Sequence, residues 1–351
     1  LLVPSDIPGY TGYTKLMTNV GQTSNRGIEL QLNAWLIETK DFSLNATFNI
    51  GHNKNKIDKL ASGEKEWILT SAWRNDVVNS DDYRAYVGGT SGLIYGYVND
   101  GFYTVADFES FDSKSRTWKL KEGVVDSSPL SDTPRPGNAK FKKLTPVDPN
   151  STNPYQLTEA DRTVIGNTTP KFSGGFGLNA TYKGFDMSMF FNFMYDFDVL
   201  NANKIMLTTW ADNKENNFLM DIASDKRWRN FDDMGNEIRY SPEVLAEFNK
   251  NATMWNPTSI GRPICMSYAV EDGSFLRLNS ATLGYTLPSV WTKKVGLSKV
   301  RFYVSGNNLF TLTGYSGYDP EVNIATGLTP NIDYNRYPRS RTYTFGAQLT
   351  F

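Results

Sequence analysis

Long segments in which apolar and polar residues alternate constrain the fold more than any other feature of this sequence. A period of two is typical of a β-strand whose two faces meet different surroundings. In one segment every second residue is apolar or aromatic: Met187, Met189, Phe191, Phe193, Tyr195 and Phe197. Strands of soluble proteins average about five or six residues, whereas a tilted transmembrane strand needs about nine to eleven. The pattern therefore predicts an all-β chain of long antiparallel strands that cross a membrane.

Nine strands are predicted from this alternation and from the turn residues between the segments. They run near 20–37, 42–57, 65–75, 84–98, 171–182, 185–198, 274–287, 299–311 and 340–351. The third strand lacks clean alternation at residues 67–69. In the seventh strand, Leu276 and Ala281 have opposite parity, so a β-bulge is needed to bring them to one face.

Connections between the predicted strands come in two sizes. Short ones lie near 38–41, 183–184 and 287–299, and long ones rich in Pro, Asn, Asp and Gly lie near 99–170, 199–273 and 312–339. Bacterial outer-membrane barrels have short periplasmic turns and long extracellular loops. We therefore expect a periplasmic C-terminus and three extracellular connections. Because an odd number of strands does not close a complete bacterial barrel, residues 1–351 are expected to be the C-terminal part of one larger barrel domain.

Composition agrees with a membrane barrel and excludes other classes. Aromatic residues make up 14% of the chain, and aromatic side chains at strand ends fit the girdles that such barrels place at the membrane interfaces. The strand-end aromatics are Phe172, Tyr182, Phe197 and Tyr343. The sequence has no apolar run near the roughly 20 residues of a membrane helix. Its formal net charge of −1 argues against a nucleic-acid-binding protein.

The scarcity of cysteine and histidine argues against catalysis and metal binding. Cys265 is the only cysteine, which excludes an internal disulfide and a cysteine-based zinc site. His52 is the only histidine and lies in the polar segment 51–56. A Ser-His-Asp triad or a multi-histidine metal site would have to be built around that one residue. We therefore expect neither enzymatic activity nor a cofactor.

A series of short motifs runs through nearly the whole chain. The earlier ones are Asn25-Arg26-Gly27-Ile28-Glu29-Leu30, Asn53-Lys54-Asn55-Lys56-Ile57, Asp100-Gly101-Phe102-Tyr103 and Val164-Ile165-Gly166-Asn167. The later ones are Ser274-Phe275-Leu276-Arg277-Leu278, Gly306-Asn307-Asn308-Leu309-Phe310-Thr311, Gly317-Tyr318-Asp319-Pro320-Glu321 and Tyr337-Pro338-Arg339-Ser340-Arg341-Thr342-Tyr343. In these motifs and their order the chain resembles the C-terminal portion of the SusC/RagA family of TonB-dependent outer-membrane transporters from Bacteroidetes.

The resemblance implies a plugged barrel of about 22 strands. In the family, the plug, the TonB-contacting segment and the signal peptide all precede the region that matches this chain. A SusD-like surface lipoprotein closes the barrel, and the cargo is an oligosaccharide or a peptide. The family often carries a calcium-loop-like acidic stretch where this chain has residues 136–161. Three lysines, Lys140, Lys142 and Lys143, replace much of that acid, so no metal is expected at a site that needs six or more oxygen ligands.

Substrate contacts are expected from aromatic rings in the long connections and from polar residues that face the lumen. Aromatic faces stack on sugar rings and cover peptide side chains. The candidates are Trp210, Trp228, Trp255, Tyr315, Tyr318 and Tyr334 in the connections, with Asn192 and Asp196 in the lumen. Packing within the loops or against the lipoprotein is the alternative for the aromatic set, and it carries the greater weight. A structural role is expected for the proline corners at 319–321 and 337–339.

Two other classes of protein remain as alternatives. A passive porin would share the strand pattern but would have neither a plug nor a lipoprotein lid. A secreted β-sandwich that binds carbohydrate would need two faces meeting across a dry core. The polar faces predicted here, rich in Asn, Gln, Thr and Gly, fit such a core poorly.

Overall fold

The computed structural model describes residues 2–6, 9–12, 15–19, 21–60, 63–73, 81–131, 133–209, 217–321 and 327–351. The strands are β1 (Leu2–Asp6), β2 (Lys15–Asn19), β3 (Gln22–Glu38), β4 (Phe42–Lys59), β5 (Glu66–Leu69), β6 (Tyr83–Tyr86), β7 (Leu93–Gly96), β8 (Asn99–Phe102), β9 (Phe108–Asp112), β10 (Thr117–Leu120), β11 (Ala139–Phe141), β12 (Thr163–Asn167), β13 (Phe172–Tyr182), β14 (Phe185–Tyr195), β15 (Asp198–Asn201), β16 (Val270–Asp272), β17 (Phe275–Thr286), β18 (Lys299–Thr313), β19 (Ile332–Asp333) and β20 (Thr342–Thr350). The helices are α1 (Ala202–Met206), α2 (Pro242–Phe248) and α3 (Ser289–Thr292). Within the described ranges, no helix has both the length and the apolar character needed to cross a membrane.

Seven long strands form one antiparallel sheet, which we call the wall sheet. Its order is β3-β4-β13-β14-β17-β18-β20, so each strand pairs with the next wall strand along the chain. Short connections at 39–41, 183–184 and 287–298 alternate with long ones at 60–171, 196–274 and 314–341. Because successive strands are antiparallel, all three long connections leave the same end of the sheet. We call these three connections the loop layer.

One face of the wall sheet is apolar from edge to edge. Lateral pairing across six strands aligns Leu32, Phe48, Phe176, Phe191, Leu278 and Phe310. The next row faces the opposite side and is mainly polar or glycine: Asn33, Thr47, Gly177, Phe190, Ser280, Asn307 and Thr342. Large side chains on the apolar face are exposed, with Leu32 at 53% and Phe345 at 81%. A continuous exposed apolar surface of this kind suits contact with lipid.

A row of aromatic side chains crosses the apolar face at the end that carries the short connections. It consists of Phe42, Tyr182, Phe185, Tyr285 and Phe302 on five neighbouring strands. The row is the kind of girdle expected from the sequence, and Tyr182 belongs to it. Phe197 does not, and its assignment to a girdle is wrong. It is 4% exposed in a cluster with Phe275 and Tyr315, because the chain leaves the wall at Asp196, whose φ is 60°.

Two of the nine predicted strands lie outside the wall sheet. The segment predicted at 65–75 contains β5, and the one predicted at 84–98 contains β7. Both belong to a separate sheet of order β5-β6-β7-β12, while β4 pairs directly with β13. The chain turns between β6 and β7 at Gly88 and Gly92, whose φ values of 94° and 76° favour glycine. The two strands are consecutive along the chain. Leaving them out of the wall therefore does not change the relative directions of the other seven.

The predicted bulge in the seventh strand is confirmed. Asn279 has no partner in the register of β17 with either neighbouring strand, because the pairing passes from Leu278 to Ser280. Leu278 and Ala281 consequently reach the same face. On the opposing strand β18, Asn308 has a φ of 53°, a left-handed conformation that asparagine tolerates better than most residues.

The buried apolar side chains are concentrated in the loop layer. Among the described residues of the wall strands, only Ile57, Phe275, Leu278 and Val300 are buried and apolar. The largest cluster joins distant parts of two long connections through Tyr97, Phe141, Leu157, Trp255, Ile264 and Met266. A second cluster includes Tyr83, Ile94, Leu200, Ile205 and Cys265. The connections therefore form a packed body with its own cores.

Candidate functional site

A buried arginine joins the wall sheet to the last long connection. Arg277 projects from β17, is 1% exposed and donates from Nη2 to Asp319 Oδ1 at 2.6 Å and from Nη1 to Asp319 Oδ2 at 3.3 Å. Its Nε lies 2.9 Å from Glu321 Oε2, and Arg339 Nη1 lies 3.3 Å from the same oxygen. Two guanidinium groups and two carboxylates thus compensate one another where an unpaired charge would be costly.

Four of the later sequence motifs meet at this cluster. Besides Arg277, Asp319 and Arg339, it includes Asn308, whose Oδ1 accepts from Arg277 Nη1. Asn308 Nδ2 donates to the backbone oxygen of Arg339 at 2.9 Å. The geometry supports the structural role expected for the two proline corners, since both are held against β17 and β18.

A cleft of about 640 Å³ opens beside this cluster. It is lined by residues of α1 and its flanks, by Leu219, and by residues 316–318 and 335–338. Tyr318 and Tyr337 line the cleft and are 85% and 89% exposed. Exposed aromatic rings at the mouth of a concave surface are typical of a ligand site. We therefore treat this cleft as the candidate functional site.

The backbone that carries Tyr318 is fixed from below. Tyr315 is buried beneath the turn, and its hydroxyl donates to Asp333 Oδ2 at 2.8 Å. A Cβ at Gly317 would lie 2.4 Å from the Tyr315 ring, so the turn can close over the ring only with glycine there. Burial and the nearby Asp333 carboxylate raise the pKa of Tyr315, which keeps its hydroxyl protonated as a donor.

The backbone that carries Tyr337 is fixed on both sides. The N–H of Asn335 donates to Asn203 Oδ1 at 2.8 Å, and the backbone oxygen of Arg339 accepts from Asn308. Both tyrosine rings thus stand on restrained backbone, so a ligand would not have to order the segments that carry them.

The charges at the cleft are paired except at Arg336. Lys204 Nζ lies 3.3 Å from Glu271 Oε1 and 4.3 Å from the centre of the Tyr268 ring. Burial alone would raise the pKa of Glu271. Hydrogen bonds from the Ser316 hydroxyl and N–H, together with the charge of Lys204, outweigh burial and hold the pKa of Glu271 below its ordinary value. Arg336 is exposed and makes no ion pair with any carboxylate of the described ranges.

Two of the predicted tryptophans are buried in the loop layer. Trp228 and Trp255 are each 2% exposed. Trp228 packs against Phe102 with ring centres 5.8 Å apart, and Trp255 meets Tyr268 edge-on at 4.7 Å. Their rings fill cores, which is the packing role that the sequence analysis weighed more heavily. Trp210 lies outside the described residues.

The other predicted residues are dispersed. Tyr334 is half-buried and meets Trp73 edge-on at 5.2 Å. Asn192 lies on the polar face of β14, and its buried Oδ1 has no hydrogen-bond partner in the described part of the chain. Asp196 is exposed, and its Oδ2 lies 3.5 Å from Lys171 Nζ. Of the predicted residues that the structure describes, only Tyr318 lines the cleft, and Tyr315 packs beneath the turn that carries it.

The segment 136–161 is held by a buried carboxylate. Asp161 Oδ1 accepts from the N–H groups of Leu144 at 2.9 Å and Thr145 at 2.7 Å, and Oδ2 accepts from the N–H of Thr158 at 2.8 Å. Burial alone would raise the pKa of Asp161, but these hydrogen bonds and that of the Thr145 hydroxyl lower it to about 2. In the described ranges, no group of three or more His, Cys, Asp or Glu side chains could hold a metal ion.

Sequence reasoning missed Arg336 and Tyr337 as cleft residues. The proline that follows Tyr337 predicts a loop corner there. An aromatic–proline pair in the same connection as Tyr318 is the available signal. The positions of Lys204 and Leu219 carry no signal, because residues about a hundred positions from Tyr318 reach the cleft only through folding.

Comparison with known proteins places the chain among TonB-dependent receptors. No family model matches the chain. It is 32% identical over 357 residues to TonB-dependent receptor P3 of Formosa agariphila, an alignment that covers 100% of the chain and 31% of that receptor. It is 26% identical over 358 residues to TonB-dependent receptor SusC of Bacteroides thetaiotaomicron, covering 100% of the chain and 29% of SusC. The chain thus spans less than a third of these curated relatives.

Solved structures agree on the fold. The RagAB peptide transporter matches with a TM-score of 0.66 at 22% identity, over 100% of the chain and 32% of the matched chain. The RagAB peptide importer in its 'open-open' state matches with a TM-score of 0.65 at 23% identity, over 100% of the chain and 31% of the matched chain. The wall sheet is accordingly part of an antiparallel transmembrane β-barrel. The chain is a C-terminal portion of a TonB-dependent receptor of the SusC/RagA family.

Proposed function

We propose that the chain forms wall strands and extracellular loops of an active outer-membrane transporter. The transporter imports a nutrient oligomer, either an oligosaccharide or a peptide, with energy delivered by TonB. A SusD-like surface lipoprotein closes it from outside. In this arrangement the C-terminus is periplasmic and the loop layer is extracellular.

The apolar face of the wall sheet carries this proposal. It crosses seven strands, and its exposed rings and aliphatic side chains have no covering layer among the described residues. A soluble β-sandwich would bury such a face against a second sheet. The names of the curated relatives support the TonB requirement, and the RagAB structures support a transported peptide as one of the two cargo classes.

The cleft is the proposed contact site for cargo on this part of the transporter. Tyr318 and Tyr337 offer open aromatic faces, and the site lies in the loop layer, where cargo arriving from outside would first meet the receptor. Asn192 is proposed to meet cargo or plug inside the lumen, and Asp196 is proposed to meet them where the chain leaves the wall. Trp210 remains a predicted contact.

Uptake by living cells tests the proposal. Cells that express the full-length receptor containing this chain should take up labelled oligomers, and deletion of TonB should abolish uptake without reducing receptor in the outer membrane. Affinity purification from detergent-solubilised membranes, followed by mass spectrometry, should recover a surface lipoprotein. Receptor lacking its own plug segment serves as the control for passive flow. TonB-independent uptake through a homotrimer would favour the porin instead, and recovery of the receptor as a soluble monomer would exclude both barrels.

A further inference from the structure

Two of the three asparagines that line the candidate cleft have side-chain amides already engaged within the protein. Asn201 uses its amide to donate to Glu271 and to accept from the Lys204 N–H. Asn203 likewise donates to one neighbour and accepts from another. A sugar presents hydroxyl groups around its whole ring, and each one that is desolvated without a partner costs free energy. The cleft is therefore poorly equipped for a sugar.

The remaining lining is largely apolar. Leu207, Leu219 and Pro338 line the cleft together with Tyr318 and Tyr337. All three are half-buried, so a ligand that covers them removes apolar surface from water. Such a surface suits the side chain of an apolar amino acid.

Arg336 adds a positive charge at the same place. It lines the cleft, is exposed, and is unpaired among the described residues. Guanidinium binds a carboxylate through two parallel hydrogen bonds, a geometry that a lysine cannot reproduce. The nearby acidic groups, Glu271 and Asp333, are already engaged by Lys204 and Tyr315, so they do not compete for it.

From this combination we infer that the cleft binds a peptide segment in which a carboxylate adjoins an apolar side chain. Arg336 pairs with the carboxylate, and Tyr318 and Tyr337 cover the apolar side chain. This inference rests on the proposed transport function and decides its cargo class in favour of peptide. It assigns Arg336 as the residue that determines specificity for the carboxylate.

Binding of two matched peptides to the purified full-length receptor tests the inference. The probes are a fluorescent pentapeptide of four alanines and a terminal leucine, with a free C-terminal carboxylate in one and an amide in the other. The native receptor should bind the acid about tenfold more tightly than the amide, as expected for a charge-assisted pair. Arg336→Gln should bring that ratio to about one. Arg262→Gln, which removes an exposed arginine away from the cleft, should leave the ratio unchanged.

Further readouts keep the outcome interpretable. Tyr318→Ala should weaken both probes alike, and heat-modifiable gel migration should be unchanged in every variant if the barrel is folded. Equal affinities of the native receptor for acid and amide, or a ratio that survives Arg336→Gln, would overturn the inference. Tighter binding of the oligosaccharide maltohexaose than of either peptide would also overturn the inference. TonB-independent uptake would instead refute the transport proposal while leaving a measured acid preference intact.

Discussion

At the scale of single residues, charge compensation at Arg277 determines how firmly the last connection is held to the barrel. The guanidinium is anchored in β17, while both of its carboxylate partners come from residues 319–321. All of these side chains are largely shielded from water. The energetic consequence of removing one partner is therefore dominated by the charge left behind.

Asp319→Ala should destabilise this attachment by about 3 kcal/mol, because Arg277 stays buried and loses its bidentate partner while Glu321 still offsets part of its charge. Protease cleavage within residues 314–321 of the detergent-solubilised receptor should rise accordingly. Asp225→Ala is the matched control, since Asp225 is exposed, and it should change stability by less than about 0.5 kcal/mol. Equal cleavage of the two variants would refute the anchoring role.

Asp161 gives the segment 143–161 a defined dependence on pH. Its pKa is lowered from 3.8 to about 2, so the ionised carboxylate contributes stability above the ordinary pKa and loses it as the pH falls toward 2. The contribution is about 2 kcal/mol. Hydrogen exchange at the amides of Leu144, Thr145 and Thr158, corrected for intrinsic rates, should accelerate as the pH falls from about 4 to about 2.

Asp161→Asn provides the control for this prediction. Its amide nitrogen would face N–H donors, so exchange at the same three amides should be fast at neutral pH and should show little further change in acid. If the three amides of the variant stayed protected from hydrogen exchange at neutral pH, the carboxylate would not be the group that holds the segment.

At the scale of elements, each wall strand separates two environments one residue apart. Leu178 pairs laterally with Ala46 and Met189 on the apolar face, whereas Asn179 pairs with Asn45 and Ser188 on the polar face. The two neighbours therefore form an internal comparison of lipid-facing and lumen-facing positions.

Leu178→Arg should destabilise the barrel by about 2–4 kcal/mol if the position lies near the bilayer midplane, because the charge must enter the apolar part of the membrane. Asn179→Arg should lower the free energy of unfolding much less, because that side chain lies on the polar face. Equilibrium unfolding in lipid vesicles, read from the heat-modifiable band, measures the difference. If the two variants were equally stable, the assignment of the apolar face to lipid would fail.

The same alternation explains which elements the sequence could predict. Strands such as β13 and β14 are long, with every second residue on one face, so their period is visible locally. β5 and β7 each have only four residues, and β7 is buried along its whole length, so neither presents two distinguishable faces. The predicted strands at 65–75 and 84–98 were therefore placed in the wall, although they belong to the loop layer.

At the scale of the whole molecule, the alternating short and long connections predict which lysines are accessible from outside the cell. Lys226 and Lys250 lie in the loop layer, whereas Lys40 and Lys294 lie in short connections, and all four are exposed. A membrane-impermeant amine reagent added to intact cells should modify only the first pair, as read by peptide mass spectrometry. Modification of Lys40 and Lys294 with protection of the others would reverse the proposed orientation.

The cleft could not be predicted from the sequence in the way that the wall could. It brings α1 and Leu219 against residues 316–318 and 335–338, and no local period marks residues that converge from separate connections. Chemical type alone selected Trp228 and Trp255 with Tyr318, but it cannot tell a ring that fills a core from one that faces a ligand. Burial makes that distinction, and burial depends on the fold of the entire loop layer.

The concentration of buried apolar side chains in the loop layer has a thermodynamic consequence. The wall is solvated by hydrocarbon on one face, while the packed connections exclude water from cores of their own. Urea solvates the apolar and peptide groups that unfolding exposes to water, so it should melt the loop layer before it disturbs the barrel. Denaturation would then proceed in two transitions, and a single midpoint would describe neither.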